Sequence, residues 1–402
     1  MKRAIPIHGT VDELFSDVKE SFSKNFKEGW EKAGAAFCVI HRGHVVVDLW
    51  GGYADVECNK EWKEDTISTV FSCTKSATAI CFAMLVDRGL CDYSDKVTKY
   101  WPEFGANGKE DITIDMVLSH TAGIPYFNKR ITFDELLDNE KIAKIIETQA
   151  PIFPPGSKTA YQPLTFGWMA DQIFRKIEPQ NRTVGQFFRD ELAIKHHIDM
   201  HIGDCTAEEN RLARLFKMSR LLAVREFGYD KMLANMARYY YNPRGYFQRA
   251  MDNMRDFGSD FTIYNNSDLR ITGQPGVNGV ASARALAQLH QLILDGSILS
   301  SEAVKKISTP VNGPSFDHTL GEPQVKERGF TYDKSPKGSW QFGHPGVGGQ
   351  IVRADPENEL VIAYLTNAMK AGVGDHVFTY MRLQKKVYDT LARIPKFEVP
   401  LE

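Results

Sequence analysis

The chain has 402 residues, of which 43% are hydrophobic and 25% are charged, and its formal net charge is −2. This composition is typical of a folded globular protein with a large core. A charge so close to neutral gives no electrostatic basis for binding nucleic acid or an anionic membrane. Every apolar stretch is far shorter than the roughly 20 residues that a membrane-spanning helix needs.

The amino terminus lacks the marks of an export signal. Residues 1–8 contain neither an apolar segment nor a small-residue cleavage site, so we expect a cytoplasmic protein, with a mitochondrial location left open. The six cysteines form no Cys-x-x-Cys pair. This pattern favours reduced core thiols over a disulfide framework.

The first elements along the chain are predicted to be a helix, a hairpin and a second helix. Residues 12–32 have an amphipathic pattern, and apolar runs on both sides of a turn at residues 41–44 predict a hairpin over residues 35–49. Two glycines, 51 and 52, predict the end of its second strand. A strongly apolar helix is expected over residues 72–88.

The middle of the chain is predicted to be mainly helical. The expected helices are residues 114–119, 133–148, 166–176, 184–192 and 281–294. Residues 205–269 carry clustered tyrosines, including a Tyr-Tyr-Tyr-Asn-Pro-Arg-Gly-Tyr-Phe run at residues 239–247. This segment is interpreted either as an aromatic lid over a substrate pocket or as a helical hairpin with its rings packed inward.

The last part of the chain returns to strands before a final helix. The expected elements are strands 329–332, 339–343, 350–354 and 359–367 and a helix over residues 374–391. Strands at both ends with helices between them predict an α/β fold. We expect residues 1–80 and 310–402 to form a discontinuous α/β lobe and residues 81–309 a mainly helical lobe.

The segment with the clearest chemical signal is Phe-Ser-Cys-Thr-Lys-Ser at residues 71–76. A three-residue step on a helix places Ser72 and Lys75 on one face. A neutral lysine there can make the hydroxyl a nucleophile, and the start of the helix offers N–H groups to an oxyanion. The same spacing at residues 16–19 and 21–24 lies in a charged segment, where nothing desolvates the lysine.

Two further motifs follow in order. A Pro-Pro-Gly turn at residues 154–156 leads to Tyr161, a residue type that can carry a proton between nucleophile, base and leaving group. The Phe-Gly-His-Pro-Gly-Val-Gly-Gly-Gln run at residues 342–350 is a Gly-rich strand whose backbone can approach a ligand and donate to an oxyanion. Each pattern alone is usually structural, but the ordered set of three is specific.

Together, the three motifs resemble those of the serine β-lactamase and penicillin-binding-protein superfamily, whose patterns are S-x-x-K, S-D-N and K-T-G. The resemblance covers roughly residues 30–390 and is closest to class C β-lactamase-like esterases and animal β-lactamase-related proteins. It implies a β-lactamase/transpeptidase-like α/β fold, with a mainly antiparallel sheet flanked by helices plus a helical lobe. The active site is expected where the lobes meet.

The resemblance also implies catalytic roles. Ser72 corresponds to the acylated nucleophile, Lys75 to its base and Tyr161 to the tyrosine of the second motif. The backbone N–H groups of Ser72 and Val347 correspond to the oxyanion hole.

The second and third motifs depart from those of the lactamases. Pro163 stands where class C enzymes carry the asparagine of Tyr-x-Asn, and His344-Pro345-Gly346 replaces Lys-Thr-Gly. We expect His344, Gly346 and Val347 to bind substrate. The missing amide, lysine and hydroxyl help to hold a lactam, so their absence favours an ester.

The sequence therefore predicts a serine hydrolase that cleaves a small-molecule ester or amide through an acyl-enzyme on Ser72. Acyl transfer to another acceptor is left open. The alternative is a catalytically weak scaffold or filament-forming protein of the same fold, against which the intact Ser72, Lys75 and Tyr161 argue.

Neither a cofactor nor a metal is expected. Histidines 196, 197 and 201 lack a His-Glu-x-x-His arrangement, and the chain has no Gly-x-Gly-x-x-Gly helix start. A homo-oligomer is compatible with the sequence.

Overall fold

The computed structural model describes residues 5–394. Within that range the strands are β1 (Ile7–Val11), β2 (Gly34–His41), β3 (His44–Asp55), β4 (Lys60–Glu61), β5 (Ser68–Thr69), β6 (Met200–His201), β7 (Val280–Ala281), β8 (Ser315–Asp317), β9 (Glu322–Glu327), β10 (Phe330–Lys334), β11 (Trp340–Gly346), β12 (Gln350–Asp355) and β13 (Leu360–Thr366).

The α-helices of the same residues are α1 (Ser16–Lys27), α2 (Thr74–Asp87), α3 (Ile114–Leu118), α4 (Phe133–Leu136), α5 (Asn139–Thr148), α6 (Thr165–Ile177), α7 (Val184–Phe188), α8 (Ile194–His196), α9 (Arg220–Tyr229), α10 (Lys231–Tyr240), α11 (Tyr246–Asp252), α12 (Ser267–Ile271), α13 (Ala283–Leu294), α14 (Ser301–Ser308) and α15 (Phe378–Leu391). None of these helices is long and apolar enough to cross a membrane.

A large antiparallel sheet organises the molecule. Its strand order is β1-β3-β2-β13-β12-β11-β10-β9-β8, and β4 pairs with β3 at one side. Strands from the amino-terminal and carboxy-terminal parts of the described residues meet where β13 pairs with β2, with Tyr364 opposite Phe37. This sheet and the many helices around it confirm the predicted α/β class and its mainly antiparallel character.

The two faces of the sheet bury different side chains because successive residues of a strand point to opposite sides. On one face Phe37 and Val39 of β2 belong to a cluster with side chains of α1 and α15. On the other face Ala36 and Cys38 join the larger core, which includes the buried side of α13. The small residues let α13 pack closely on this second face.

The predicted hairpin forms, but its second strand is longer than expected. Arg42 and Gly43 adopt φ values of +52° and +76°, as a two-residue turn between right-twisted strands requires. The predicted break at the two following glycines is wrong, because β3 continues to Asp55. At Gly52, with φ +75°, a Cβ atom would collide with the carbonyl oxygen of Ala33. Glycine here allows close backbone approach inside a strand.

The helix predicted over residues 133–148 is two helices. Asp138 separates α4 from α5, and its side chain accepts hydrogen bonds from the backbone N–H groups of Glu140 and Lys141. This N-cap begins a second helix at the point where an apolar pattern alone suggests continuity.

The division into two lobes stays a prediction. The strands of the large sheet come from residues 7–61 and 315–366, while most helices come from the residues between them. Residues 1–4 and 395–402, which end the predicted α/β lobe, lie outside the described residues.

Candidate active site

Ser72 lies in a short 3₁₀ turn, Phe71–Cys73, that leads into α2. Phe71 has a φ of +46°, which is a strained value for a bulky residue and is typical of functional sites. Its buried ring packs edge-on against Phe261 and Tyr264, with ring centroids 5.8 Å away in both cases. This packing holds the strained residue and fixes Ser72 at the start of the helix.

Lys75 is fully buried one turn after Ser72. Its Nζ atom lies 3.2 Å from Ser72 Oγ, 3.0 Å from the carbonyl oxygen of Pro163 and 2.7 Å from that of Gly276. Burial lowers the pKa of Lys75 well below its usual value, which favours a neutral amine with two N–H groups. The two carbonyl oxygens only accept, so they take both N–H groups. The lone pair remains for the Ser72 hydroxyl.

Tyr161 also contacts Ser72. Its Oη lies 2.7 Å from Ser72 Oγ, in a buried position. Desolvation raises the pKa of Tyr161, so the phenol keeps its proton and donates it to Ser72. Ser72 therefore accepts from Tyr161, and a neutral Lys75 would accept the Ser72 proton in turn, which would give the three groups one direction of hydrogen bonding.

A loop at residues 274–279 completes the surroundings of Lys75. The three motifs do not include this loop. Thr78 Oγ1 donates to the carbonyl oxygen of Pro275 at 2.5 Å, and the N–H of Gly279 donates to Thr74 Oγ1 at 3.0 Å. These threonines flank Lys75 on one face of α2. The signal in the sequence was a Gly-Gln-Pro-Gly-Val-Asn-Gly run at residues 273–279, which marks a loop of unusual backbone.

The third motif lies beside the first. The thiol of Cys73 donates to the carbonyl oxygen of His344 at 3.1 Å. A Cβ atom at Gly346 would lie 2.5 Å from the carbonyl oxygen of Val70, so glycine is needed for this approach of β11. Val347 follows directly after β11.

His344 is a buried and neutral side chain. Its Nδ1 atom lies 2.6 Å from the carbonyl oxygen of Pro345 and therefore carries the proton. Burial lowers the pKa of His344 well below its usual value. The Nε2 lone pair has no hydrogen-bond partner within residues 5–394. The His344 ring lies 6.0 Å from that of Tyr161, so the structure brings this acceptor near the first two motifs.

Two other reactive residue types near Ser72 have structural surroundings. Cys73 is fully buried, and desolvation raises the pKa of its thiol, which disfavours a competing thiolate. His120 accepts the backbone N–H of Gln162 on Nδ1 at 3.1 Å. This hydrogen bond joins the loop that contains His120 to the backbone of the second motif, which is a structural role for His120.

Comparisons with known proteins identify the family of the chain. Residues 22–385 match the family model Beta-lactamase. The esterase/beta-lactamase LipL of Mycobacterium tuberculosis is 31% identical over 376 residues, which are 90% of this chain and 83% of that protein.

Two solved structures also share the fold over nearly the whole chain. A family VIII carboxylesterase superposes with a TM-score of 0.82 at 29% identity, covering 96% of this chain and 100% of that one. EstA from Arthrobacter nitroguajacolicus gives a TM-score of 0.80 at 26% identity, covering 96% and 99%. The chain therefore belongs to the Beta-lactamase family, as the order of its three motifs predicts.

Proposed function

We propose that the protein is a serine hydrolase that cleaves carboxylic esters through an acyl-enzyme on Ser72. The observation that carries this proposal is the buried Lys75 Nζ, which lies within hydrogen-bond distance of two backbone carbonyls and of Ser72 Oγ. A neutral amine in this position gives its two N–H groups to the carbonyls and directs its lone pair to Ser72. The named activities of LipL, an esterase/beta-lactamase, and of the family VIII carboxylesterase support a hydrolase of this type.

The contacts support a two-stage reaction. Ser72 Oγ attacks the ester carbonyl carbon while its proton moves to Lys75 Nζ. The resulting oxyanion accepts hydrogen bonds from the backbone N–H groups of Ser72 and Val347. When the C–O bond to the alcohol breaks, Tyr161 gives its proton to the leaving oxygen and recovers one from Lys75.

The second stage releases the acid. A water molecule replaces the alcohol and gives a proton to Lys75 through Tyr161 as it attacks the acyl carbon. The bond from that carbon to Ser72 Oγ then breaks, and Ser72 regains its proton from Lys75. Another alcohol in place of water would give acyl transfer by the same route.

The third motif supports an uncharged substrate. A lysine in the position of His344 would hold a carboxylate, whereas the neutral His344 offers a lone pair at Nε2 that has no partner among the described residues. Such an atom accepts a hydrogen bond from a neutral donor and does not attract an anion. Pro163 supplies a backbone carbonyl to Lys75 but no side-chain amide for a lactam. Both features favour simple esters over penicillins.

Aromatic residues of the 205–269 segment are proposed to line the pocket entrance. The ring of Tyr246 lies 6.0 Å from that of Tyr126 and 6.1 Å from that of Phe153. Tyr126 precedes α4, and Phe153 follows α5 in the segment that leads to the second motif. Tyr240 instead packs on Phe247 at 4.4 Å, so part of the cluster has a packing role.

The test compares substrates and one variant. Wild-type protein should hydrolyse short-chain aryl esters with a much higher kcat/KM than penicillins or cephalosporins, and Ser72→Ala should abolish the ester activity. A higher kcat/KM for a β-lactam would overturn the ester assignment. Undiminished turnover by a folded Ser72→Ala variant would overturn the acyl-enzyme, and no turnover by the wild type would favour the scaffold alternative.

A further inference from the structure

A buried ion pair lies behind Tyr161 and takes no part in the reaction described above. Asp317, at the end of β8, and Lys326, on β9, have side chains that are 0% and 1% exposed. Lys326 Nζ lies 2.9 Å from Asp317 Oδ2. A buried charge pair is expensive to desolvate, so its presence beside a reactive group requires a physical account.

The carboxylate of Asp317 binds the backbone of Tyr161. The Tyr161 N–H lies 3.2 Å from Oδ1 and 3.0 Å from Oδ2 of Asp317. Oδ1 also accepts from the N–H groups of Thr319 and Leu320, at 2.8 and 2.9 Å. The carboxylate thus joins the second motif to the turn after β8, and Lys326 supplies the opposite charge.

The same turn binds the chain on both sides of the Tyr161 α-carbon. Thr319 Oγ1 donates to the carbonyl oxygen of Tyr161 at 2.9 Å, and the N–H of His318 donates to that of Thr159 at 3.0 Å. With the backbone held at both peptide groups, only the two side-chain torsions of Tyr161 remain to place its hydroxyl. The position of Oη at Ser72 therefore depends on Asp317.

We propose that the Asp317–Lys326 pair positions Tyr161, holding its backbone so that Oη stays in contact with Ser72 Oγ. This inference rests on the proton-donating role of Tyr161 in the proposed function. Lys326 Nζ lies 5.8 Å from the centre of the Tyr161 ring. The pair therefore holds Tyr161 through its backbone N–H, which Asp317 accepts.

The first test is Asp317→Asn. The amide keeps one acceptor for the Tyr161 N–H but gives Lys326 no anion, so Tyr161 should lose its fixed position. A displacement of about 1 Å lowers turnover by about 10²-fold, and we expect a loss of that order in kcat with little change in KM. An ethyl ester should suffer more than a p-nitrophenyl ester of the same acid, because nitrophenolate leaves without a proton.

The second test is a double-mutant cycle with Tyr161→Phe. If Asp317 acts through Tyr161, Asp317→Asn should lower kcat no further in the Tyr161→Phe background. An equal loss in both backgrounds, or a wild-type kcat for Asp317→Asn, would overturn the positioning role. An unchanged kcat for Tyr161→Phe alone would instead overturn the role of Tyr161 in the proposed function, so the two failures are distinguishable.

Folding is controlled in two ways. Glu178→Gln breaks another ion pair of low exposure, with Arg182 at 2.9 Å, and should leave kcat and the leaving-group preference unchanged. If Asp317→Asn does not fold, the variant Asp317→Asn/Lys326→Met removes both buried charges and carries the same test. A wild-type kcat for that folded variant would overturn the proposal.

Discussion

Lys75 Nζ lies 2.7 Å from the carbonyl oxygen of Gly276, although the two residues are 201 positions apart in the chain. In the proposed mechanism, this carbonyl and that of Pro163 accept both N–H groups of a neutral Lys75, so that its lone pair is directed to Ser72. Desolvation then favours the amine as a base, and the two carbonyls select Ser72 as the group that it deprotonates.

Lys75→Arg should lose most esterase activity. Arginine stays protonated in proteins and cannot serve as a base, and removing a general base lowers the rate by about 10²–10⁴-fold. The measurement is kcat on an aryl ester, with folding checked by circular dichroism. Lys19→Arg is a matched control, because residues 16–19 repeat the Ser-x-x-Lys spacing on α1, and it should behave as wild type. Near wild-type turnover by Lys75→Arg would contradict the mechanism.

The pH dependence of kcat/KM should show a catalytic base with an unusually low pKa. Burial lowers the pKa of Lys75 well below its usual value. The neutral, active form should therefore predominate at neutral pH, and activity should fall as the pH decreases through the pKa and the amine gains a proton. An ordinary lysine has a pKa of about 10.4. A rate that still rises tenfold per pH unit between pH 8 and 10 would show that the pKa of Lys75 is not lowered.

Local spacing predicts one contact of the site directly, whereas Tyr161 and His344 were predicted from the order of the three motifs and the family resemblance. Ser72 and Lys75 are one helical turn apart, so their contact follows from the chain itself. The carbonyl of Gly276 and the carboxylate of Asp317 could not be predicted in this way, because their partners lie 201 and 156 positions away. Backbone carbonyls also carry no residue-type signal.

The fold shows the same limit. The central strands were predicted from their apolar runs, whereas β1, β8 and β9 were missed because these strands lie at or next to the sheet edges. In β1, partly buried and exposed residues alternate, so the strand has no continuous apolar run. Only pairing with β3 identifies β1 as a strand.

Tyr246→Ala should change the preference for acyl-chain length while Ser72 remains reactive. Its ring packs on Phe153 and Tyr126, and its loss should open the proposed entrance, so longer esters should gain relative to short ones. Tyr229→Ala is the control within the same 205–269 segment, because Tyr229 packs instead on Trp30 and Phe378. The triple change of Tyr240, Tyr241 and Tyr246 to alanine extends the test. An unchanged preference for acyl-chain length, or simple unfolding of the triple variant, would contradict the proposal that these tyrosines line the pocket entrance.

Asp171→Asn should stabilise the protein at neutral pH. Asp171 is buried on α6, and desolvation raises its pKa from 3.8 to about 6, a difference equivalent to roughly 3 kcal/mol at neutral pH. The amide oxygen can still accept the Val184 N–H, which lies 2.8 Å from Oδ1. The gain in Tm should shrink as the pH falls from 7 towards 4, because the folded wild type then protonates Asp171. A gain that grows on acidification would contradict this sign.

The central claim is that Ser72 is the residue that becomes acylated. The most direct measurement is peptide mass spectrometry of the protein after brief treatment with an activated ester or a fluorophosphonate, in parallel with Ser72→Ala. A single adduct on Ser72, absent from the variant, is the predicted result. An adduct on Ser76 or Cys73, or equal labelling of the Ser72→Ala protein, would contradict the account.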